Sequence, residues 1–445
     1  MTDLTRRNFI GAGAVAGVAL ASSAALAIAD PAAAEWDIEC DVLVCGAGAA
    51  GYGAAYGACE SGAQTLCIEK AALPGGSFAR CSGGMAGCGS KVQKALGIED
   101  NVEDYVEWLK HVNSYTGNPV DEEYIREWAE HSGEQIDWFN DLAVQFTGEE
   151  IFMSQWADGF YNGINDSLCP YEELGFPEEK RHARSHWATR KWDKATDSGC
   201  ELANVMLQAM ESFDNYELRC ETALQRLIVN ADGEVIGVQA VDMATGDDLR
   251  IKANQGVVLA CGGWSNSPEL KAIFMPQFKD VPSYVSLNTT GDSILAAMAL
   301  GAGLTYMTAY EAGIAGKTFT YNPDYDDVFD CWLTEEGGDG TITSQDPCIC
   351  ECNGGLVINL DGQVKNVFGE VIPRLYAAGC DAGTNIQGNV VASVSASESN
   401  GTSHTDWNNT DAGLSVHPGC GHLVSTGLYF GRKAGQHAAG LEKLA

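Results

Sequence analysis

The sequence predicts an α/β fold of the Rossmann-like type, a parallel sheet wrapped by helices and opening on a dinucleotide-binding turn. Residues 40–70, "CDVLVCGAGAAGYGAAYGACESGAQTLCIEK", carry most of this expectation. An apolar run from Val42 to Cys45 leads into Gly46-x-Gly48-x-x-Gly51, then a small-residue helix, then a second strand from Thr65 to Ile68. Glu69 ends that strand, 18 residues beyond Gly51. Much later, "GVVLACGGW" (256–264) repeats the pattern of a buried strand ending in Gly-Gly.

Each part of the first motif has a physical task. Gly46 permits the tight turn, Gly48 lets the backbone approach a pyrophosphate, and Gly51 allows close helix–strand packing. The helix N-terminus offers N–H groups and positive dipole to phosphates. Glu69 is placed to accept hydrogen bonds from ribose hydroxyls. A Gly-rich packing turn alone would not require an acid at that spacing.

Before this motif, Arg6 and Arg7 precede Phe9 and an Ala/Gly-rich run to about Ala29. Small-residue cleavage candidates follow at Ala25-Leu26-Ala27 and Ala32-Ala33-Ala34. That layout predicts a signal peptide over residues 1–34, and "TRRNFI" resembles the twin-arginine export signature. A retained anchor is the alternative, although the many Gly and Ala residues make a weak span. Removal would leave roughly 410 residues, one large domain or two ordinary ones, outside the cytoplasm.

After the second strand, "LPGGSFARCSGGMAGCGS" (73–90) is a Gly/Ser loop able to lay backbone against a flat ring. Residues 180–194, "KRHARSHWATRKWDK", concentrate cations in an acidic chain, either as an anion-docking patch or as a face that balances nearby acids. "ADGEVIGVQA" (231–240) predicts a hairpin ahead of the 256–264 strand, and "TTGDSILAAMALGAG" (289–303) a Gly-Asp turn opening a helix. Cys348-x-Cys350-x-Cys352 would set three thiols on one side of a strand, as core or edge residues more readily than as a metal site. Residues 396–413, polar and rich in turn formers, predict an exposed loop.

The net charge is −35, from 61 acids against 26 Lys and Arg. Such a surface repels phosphate backbones, so nucleic acid is excluded as a partner. The acids are spread out and 45% of residues are apolar, which predicts a globular chain. Cys45, Cys67 and Cys261, among sixteen cysteines, sit inside apolar strand-like runs. Most cysteines are therefore expected to be free thiols acting as small hydrophobes.

Together with "GGLVINLDGQVKNVFGEVIPRLYAAGCDAG" (354–383) and "STGLYFGRKAGQHAA" (425–439), these stretches resemble the flavoprotein-subunit family of fumarate reductases, which includes urocanate reductases and ketosteroid dehydrogenases. The resemblance runs through nearly the whole mature chain in the family's order. It implies a Rossmann-like FAD-binding domain in two parts, 35–302 and 353–445, with a shortened cap insertion at 303–352. FAD would meet Gly46, Gly48, Gly51, Glu69 and Lys70 on its ADP half. Ser77, Ser82, Gly83 and Gly84 would lie along the flavin. Gly262, Asp292, Gly379 and Asp381 would sit near ribityl and phosphate. The helix following Ser425, which holds Leu428, would aim its N-terminus at the pyrimidine end, where negative charge collects on reduction.

The implied activity is reduction of an activated C=C bond by hydride from flavin N5, with an acid protonating the other carbon. A ketosteroid-type dehydrogenase and a non-catalytic electron carrier stand as alternatives. Arg184-Ser185-His186 resembles the family's Arg-x-His, whose histidine holds a substrate carboxyl. His186, His422 and Tyr310 are the catalytic candidates, with His417, Tyr306 and Tyr321 nearby in sequence. The family's arginines are missing: between Asp292 and Pro373 the only cations are Lys317 and Lys365. Pro418 stands where fumarate reductases keep an Arg, and the family's "AAGE" reads Ala377-Ala378-Gly379-Cys380, with Asp381 able to replace the acid. There is no Cys-x-x-Cys-His for haem attachment. A small-molecule substrate, a separate electron donor such as a cytochrome or a flavin- or quinol-linked membrane protein, and the twin-arginine translocase are the implied partners.

Overall fold

A computed structural model describes residues 35–81, 83–114, 121–152, 163–166, 169, 171, 172, 174–188, 199–276, 279, 280, 283, 286–308, 310–314, 347–383 and 418–444. The predicted signal peptide, Ser82, residues 189–194 of the basic stretch, Lys317, Tyr321, the 396–413 loop and His417 lie outside the described residues. Tyr310, Cys348 and Cys350 are described as strand backbone only.

In chain order the elements are β1 (Ile38–Cys45), α1 (Ala49–Glu60), β2 (Thr65–Ile68), β3 (Gly84–Ala86), α2 (Lys91–Ala95), α3 (Val102–Ser114), α4 (Glu122–Thr147), β4 (Ile164–Asn165), β5 (Ser185–Trp187) and α5 (Gly199–Glu211). There follow β6 (Tyr216–Arg219), β7 (Thr222–Val229), β8 (Val235–Asp242), β9 (Asp248–Leu259), α6 (Pro268–Phe274), α7 (Asp292–Met298), β10 (Leu304–Thr305) and β11 (Tyr310–Ile314). The chain closes with β12 (Pro347–Cys352), β13 (Gly355–Leu356), β14 (Gln363–Lys365), β15 (Val371–Ala377) and α8 (His422–Ala439).

The main sheet has the order β14-β15-β9-β1-β2-β6. Its centre is parallel: β1 pairs with β2 and β9, β2 with β6, and β9 with β15. The predicted hairpin is β7–β8, added antiparallel to the first half of β9. Both faces of β1 are covered, as its unbroken apolar run requires. Val42 and Val44 pack with Tyr52 and Ala54 of α1, Leu202 of α5 and Leu428 of α8. Leu43 and Cys45 face the other way, in a cluster holding Trp108 and Trp128 of α3 and α4.

Inside the span predicted as the shortened insertion, β11 pairs antiparallel with β12. Pairing there skips Cys350, since Glu311 meets Glu351 while Ala312 meets Ile349. Cys40, Cys45, Cys59 and Cys67 are buried free thiols.

Candidate cofactor site

Parallel strands end on a common edge, and ligands of open α/β sheets bind outside those carboxyl ends. Here the edge is built from the loop after β1, Glu69 and Lys70 after β2, Cys261–Gly263 after β9, and Gly379–Asp381 after β15. The β1 loop is sterically demanding. A Cβ at Gly46 would lie 2.2 Å from the Ala260 carbonyl oxygen, and one at Gly51 would lie 1.7 Å from that of Gly46. At Gly48 a Cβ would meet nothing within 4 Å. Gly48 is also the N-cap of α1, and no side chain caps that helix. An open approach to uncapped N–H groups at a helix start is what a pyrophosphate needs, so the residues fit a dinucleotide.

Glu69 is buried, and its carboxylate accepts the N–H of Ala47 at 2.9 Å and of Ala71 at 2.8 Å. The acid thereby pins the glycine turn to the end of β2. Burial pushes its pKa up while those N–H groups pull it down. Lys70 donates to Asp292 at 2.9 Å and to Thr290 at 2.7 Å, and Thr290 donates to Asp292 at 2.9 Å. This half-buried triad ties β2 to the start of α7, which begins at Asp292 as the Gly-Asp turn predicts. Ser77 joins the same rim by accepting the Ser286 N–H at 3.1 Å.

On the β9 side, Gly262 and Gly263 both take positive φ, +87° and +83°. Asp381, fully buried, accepts the N–H groups of Cys261 and Gly263. Burial raises its pKa to about 6 against the pull of its hydrogen-bond donors. Gly379, at φ +65°, leaves 2.8 Å between a would-be Cβ and that of Ala50 on α1.

Helix α8 completes the site. Gly53 and Gly57 of α1 meet the carbonyls of Leu428 and Arg432, while Gly431 and Gly435 of α8 meet those of Ala50 and Ala54. The pairings ascend together, so the helices run parallel, and α8 starts roughly one and a half turns upstream of α1. Its first turn thus projects over the crevice. Leu428 is fully buried in this contact. Ser425 accepts the Ala86 N–H at 2.8 Å, docking α8 on β3. Gly84 lies under the Trp187 ring, and Gly83 accepts the Ala188 N–H at 2.9 Å.

The two candidate histidines are both buried and both have engaged rings. His422 donates from Nδ1 to the Gly419 carbonyl at 2.8 Å, which leaves Nε2 to accept the Tyr105 hydroxyl at 2.8 Å. His186 donates from Nδ1 to the Arg184 carbonyl at 2.9 Å and accepts the Ser90 hydroxyl at Nε2, 2.7 Å away. Desolvation pushes each pKa down to about 4, so both are neutral at neutral pH. Trp108 donates to the Pro418 carbonyl and Ser185 to that of Cys420. The turn before α8 is therefore anchored one carbonyl after another.

The described half of the basic stretch is consumed by acids: Lys180 pairs with Glu107, Arg181 with Glu172, His182 with Asp104 and Arg184 with Asp100. Within that half the basic groups pair with acids; Arg190, Lys191 and Lys194 lie outside the described residues. Tyr105, Asp100 and Trp108 were invisible as site residues in the sequence: they stand on or beside α3, an amphipathic helix with no motif, and only the fold brings Tyr105 and Trp108 to the α8 start and Asp100 to Arg184. Ser90 closes the Gly/Ser stretch and caps α2, and its hydroxyl meets His186.

A crevice at the carboxyl ends of a parallel sheet, with an uncapped helix start and its acid, defines a flavin- or nicotinamide-dinucleotide protein. Residues 41–316 match the family of FAD binding domains. The chain belongs to that family, and FAD is its cofactor. A probable fumarate reductase of Shewanella frigidimarina is 28% identical over 264 residues, 59% of this chain and 39% of that protein. The digoxin reductase of Eggerthella lenta is 31% identical over 274 residues, 58% of this chain and 44% of that protein. The chain thus spans less than half the length of these relatives. Among solved structures, the 3-ketosteroid-Δ4-(5α)-dehydrogenase of Rhodococcus jostii superposes with a TM-score of 0.69 at 20% identity, covering 92% of this chain and 99% of that one.

Proposed function

We propose that the chain is an FAD-dependent oxidoreductase acting on CH–CH groups, a reductase of an activated C=C bond of enoate or enone type. The observation that carries this reading is the crevice that accepts FAD, in a chain whose curated relatives are named fumarate and digoxin reductases. When bound, FAD supplies hydride exchange with a carbon substrate. The chain's part is to bind and to orient. Gly46, Gly48 and Gly51 with the α1 start would take the pyrophosphate, Glu69 and Lys70 the adenosine side, and Ser77, Ser82, Gly83 and Gly84 the ring system. Gly262, Asp292 and Gly379 would line the ribityl and phosphate, with the α8 start at the pyrimidine end.

His186 and His422 remain candidates only if substrate exchanges one of their present hydrogen bonds, since neither is protonated near neutral pH. Tyr310 stands on β11 as the third candidate. With no arginine between Asp292 and Pro373, the chain lacks in that span the forked donors that clamp a dicarboxylate. That favours a substrate whose C=C is conjugated to a single carboxylate or a ketone, and it keeps the reverse reaction, a ketosteroid-type dehydrogenation, as the second reading. We further propose export by the twin-arginine route on Arg6 and Arg7, and electron supply from a separate cytochrome or flavin- or quinol-linked protein. The test is anaerobic reoxidation: reduce the flavin, then follow its absorbance while adding acrylates, enones and dicarboxylates. Rapid recovery with one class supports the reductase and identifies its substrate type. No recovery with any of them, alongside fast exchange with a cytochrome or quinone analogue, would sink it in favour of an electron carrier.

A further inference from the structure

We propose that Asp381 is a positioning residue: it holds the β9 end of the FAD crevice in shape from inside the protein, without touching FAD, and releases that shape on protonation. The resemblance in sequence gave Asp381 a place beside the cofactor, one residue after the family's acid. The structure turns it elsewhere. Residues Gly379–Asp381 form a single 3₁₀ turn, in which each residue rotates by about 120° about the axis. A shift of one position therefore re-aims the side chain. Cys380 is partly exposed, whereas the Asp381 carboxylate is fully buried.

Both carboxylate oxygens are spent on backbone. Oδ1 accepts the Gly263 N–H at 2.8 Å and Oδ2 accepts that of Cys261. Two successive left-handed glycines have left strand geometry there, so these N–H groups have no place in the sheet ladder. The bonds reach further, because the Gly263 carbonyl accepts the Gly291 N–H at 3.0 Å, immediately before α7. One buried carboxylate thus sets both the Gly-Gly turn and the start of the helix that carries Asp292.

The groups facing Asp381 are the Ser293 hydroxyl and Asp292 from α7, Cys45 from β1 and Cys261 after β9; Asp292's own partner is Lys70. Burial and Asp292 both favour the protonated form, and the pKa of about 6 places the change near neutrality. A protonated carboxyl keeps one good acceptor and gains a donor, so one of the two N–H groups loses its partner. The ionised carboxyl is the competent form, and FAD affinity is lost as pH falls through about 6.

The test uses the full chain, with FAD affinity measured by flavin fluorescence from pH 5 to 8 and hydrogen exchange at residues 261–263 of the FAD-free protein. If only the ionised form is competent, the wild-type dissociation constant rises about tenfold between pH 7 and 5, and exchange at those amides, corrected for intrinsic rate, rises with it. Asp381→Asn shows the weaker affinity and faster exchange already at pH 7, with a flat pH profile. Weakened FAD binding in Asp381→Asn with amides as protected as in wild type would mean direct contact with FAD and overturn the proposal. A wild-type protein flat in both readouts from pH 7 to 5 would overturn it too, even if the variant fails to fold.

Discussion

The α1–α8 contact makes one substitution harmless at one position and damaging two turns away. At Gly427 an added Cβ finds its nearest neighbour 3.6 Å away, in ordinary contact. Gly427→Ala should therefore be neutral, or stabilise by up to ~1 kcal/mol from helix propensity alone. At Gly435 the same methyl would lie 1.9 Å from the Ala54 carbonyl oxygen. That atom is backbone, so the helices must separate by more than 1 Å against a close-packed interface. Overpacking of this kind costs about 1–3 kcal/mol, partly offset by the ~1 kcal/mol of propensity. The net expectation for Gly435→Ala is a loss of about 1–2 kcal/mol. With a urea slope of about 3 kcal/mol/M or more, the midpoint falls by at most ~0.7 M. FAD affinity should fall as well, because the same contact sets how far α8 projects over the crevice. Equal midpoints and equal FAD affinities for Gly427→Ala and Gly435→Ala would refute the steric reasoning.

Other expectations follow from the buried charges. Arg184→Gln leaves the Asp100 carboxylate buried without its forked partner, and should cost about 3–5 kcal/mol in urea unfolding; a loss below 1 kcal/mol would mean that Asp100 is readily rehydrated. Lys70→Met should cost only about 1 kcal/mol or less, since both partners are a quarter exposed, yet weaken FAD binding measurably by calorimetry; unchanged affinity would remove Lys70 from the cofactor set. The pKa values of His186 and His422 are pushed from 6.5 to about 4 in the folded chain, so the unfolded chain takes up their protons first. Stability is then full above pH 6.5 and lost towards pH 4, by on the order of a few kcal/mol per histidine. Asp381, shifted the opposite way, offsets only part of that loss, so a urea midpoint flat from pH 6.5 to 4.5 would contradict the burial of the two rings.

What could be read from the sequence was what lies close together along it. The strand, turn and helix from Ile38 to Ile68 form one local unit whose glycines have local reasons, and so do the β7–β8 hairpin and the α7 start at Asp292. Helix α8 begins at His422 rather than after Ser425, because Gly421 at φ +91° turns the chain four residues earlier. Long-range pairing was not legible. Nothing in "KRHARSH" says that Arg184 meets Asp100 or that Lys180 meets Glu107, acids more than 70 residues upstream. Nor could spacing show that Tyr105 would find His422 across 317 positions. Glu69 illustrates the boundary: its place beside the glycine turn was readable from spacing, its two bonds to Ala47 and Ala71 were not.

The site's construction bears on the export proposal. Its walls come from segments near residues 46, 70, 262, 291, 380 and 422, which meet only once the sheet has closed and α8 has packed on α1. Ties across the crevice among the described residues include Glu69 to Ala47, Lys70 to Asp292, Asp381 to Cys261 and Gly263, and Ser425 to Ala86. Each engages a backbone group or a partner from a distant part of the chain, so an unfolded chain presents no part of the site complete. A cofactor held by such a crevice must be inserted during or after folding, and a ligand that binds only the folded form stabilises it by mass action. Threading the unfolded chain across a membrane would leave insertion to a compartment where FAD has to be supplied separately. A route that carries folded cargo removes that requirement, which is the physical reason to join the paired arginines at residues 6 and 7 to this fold.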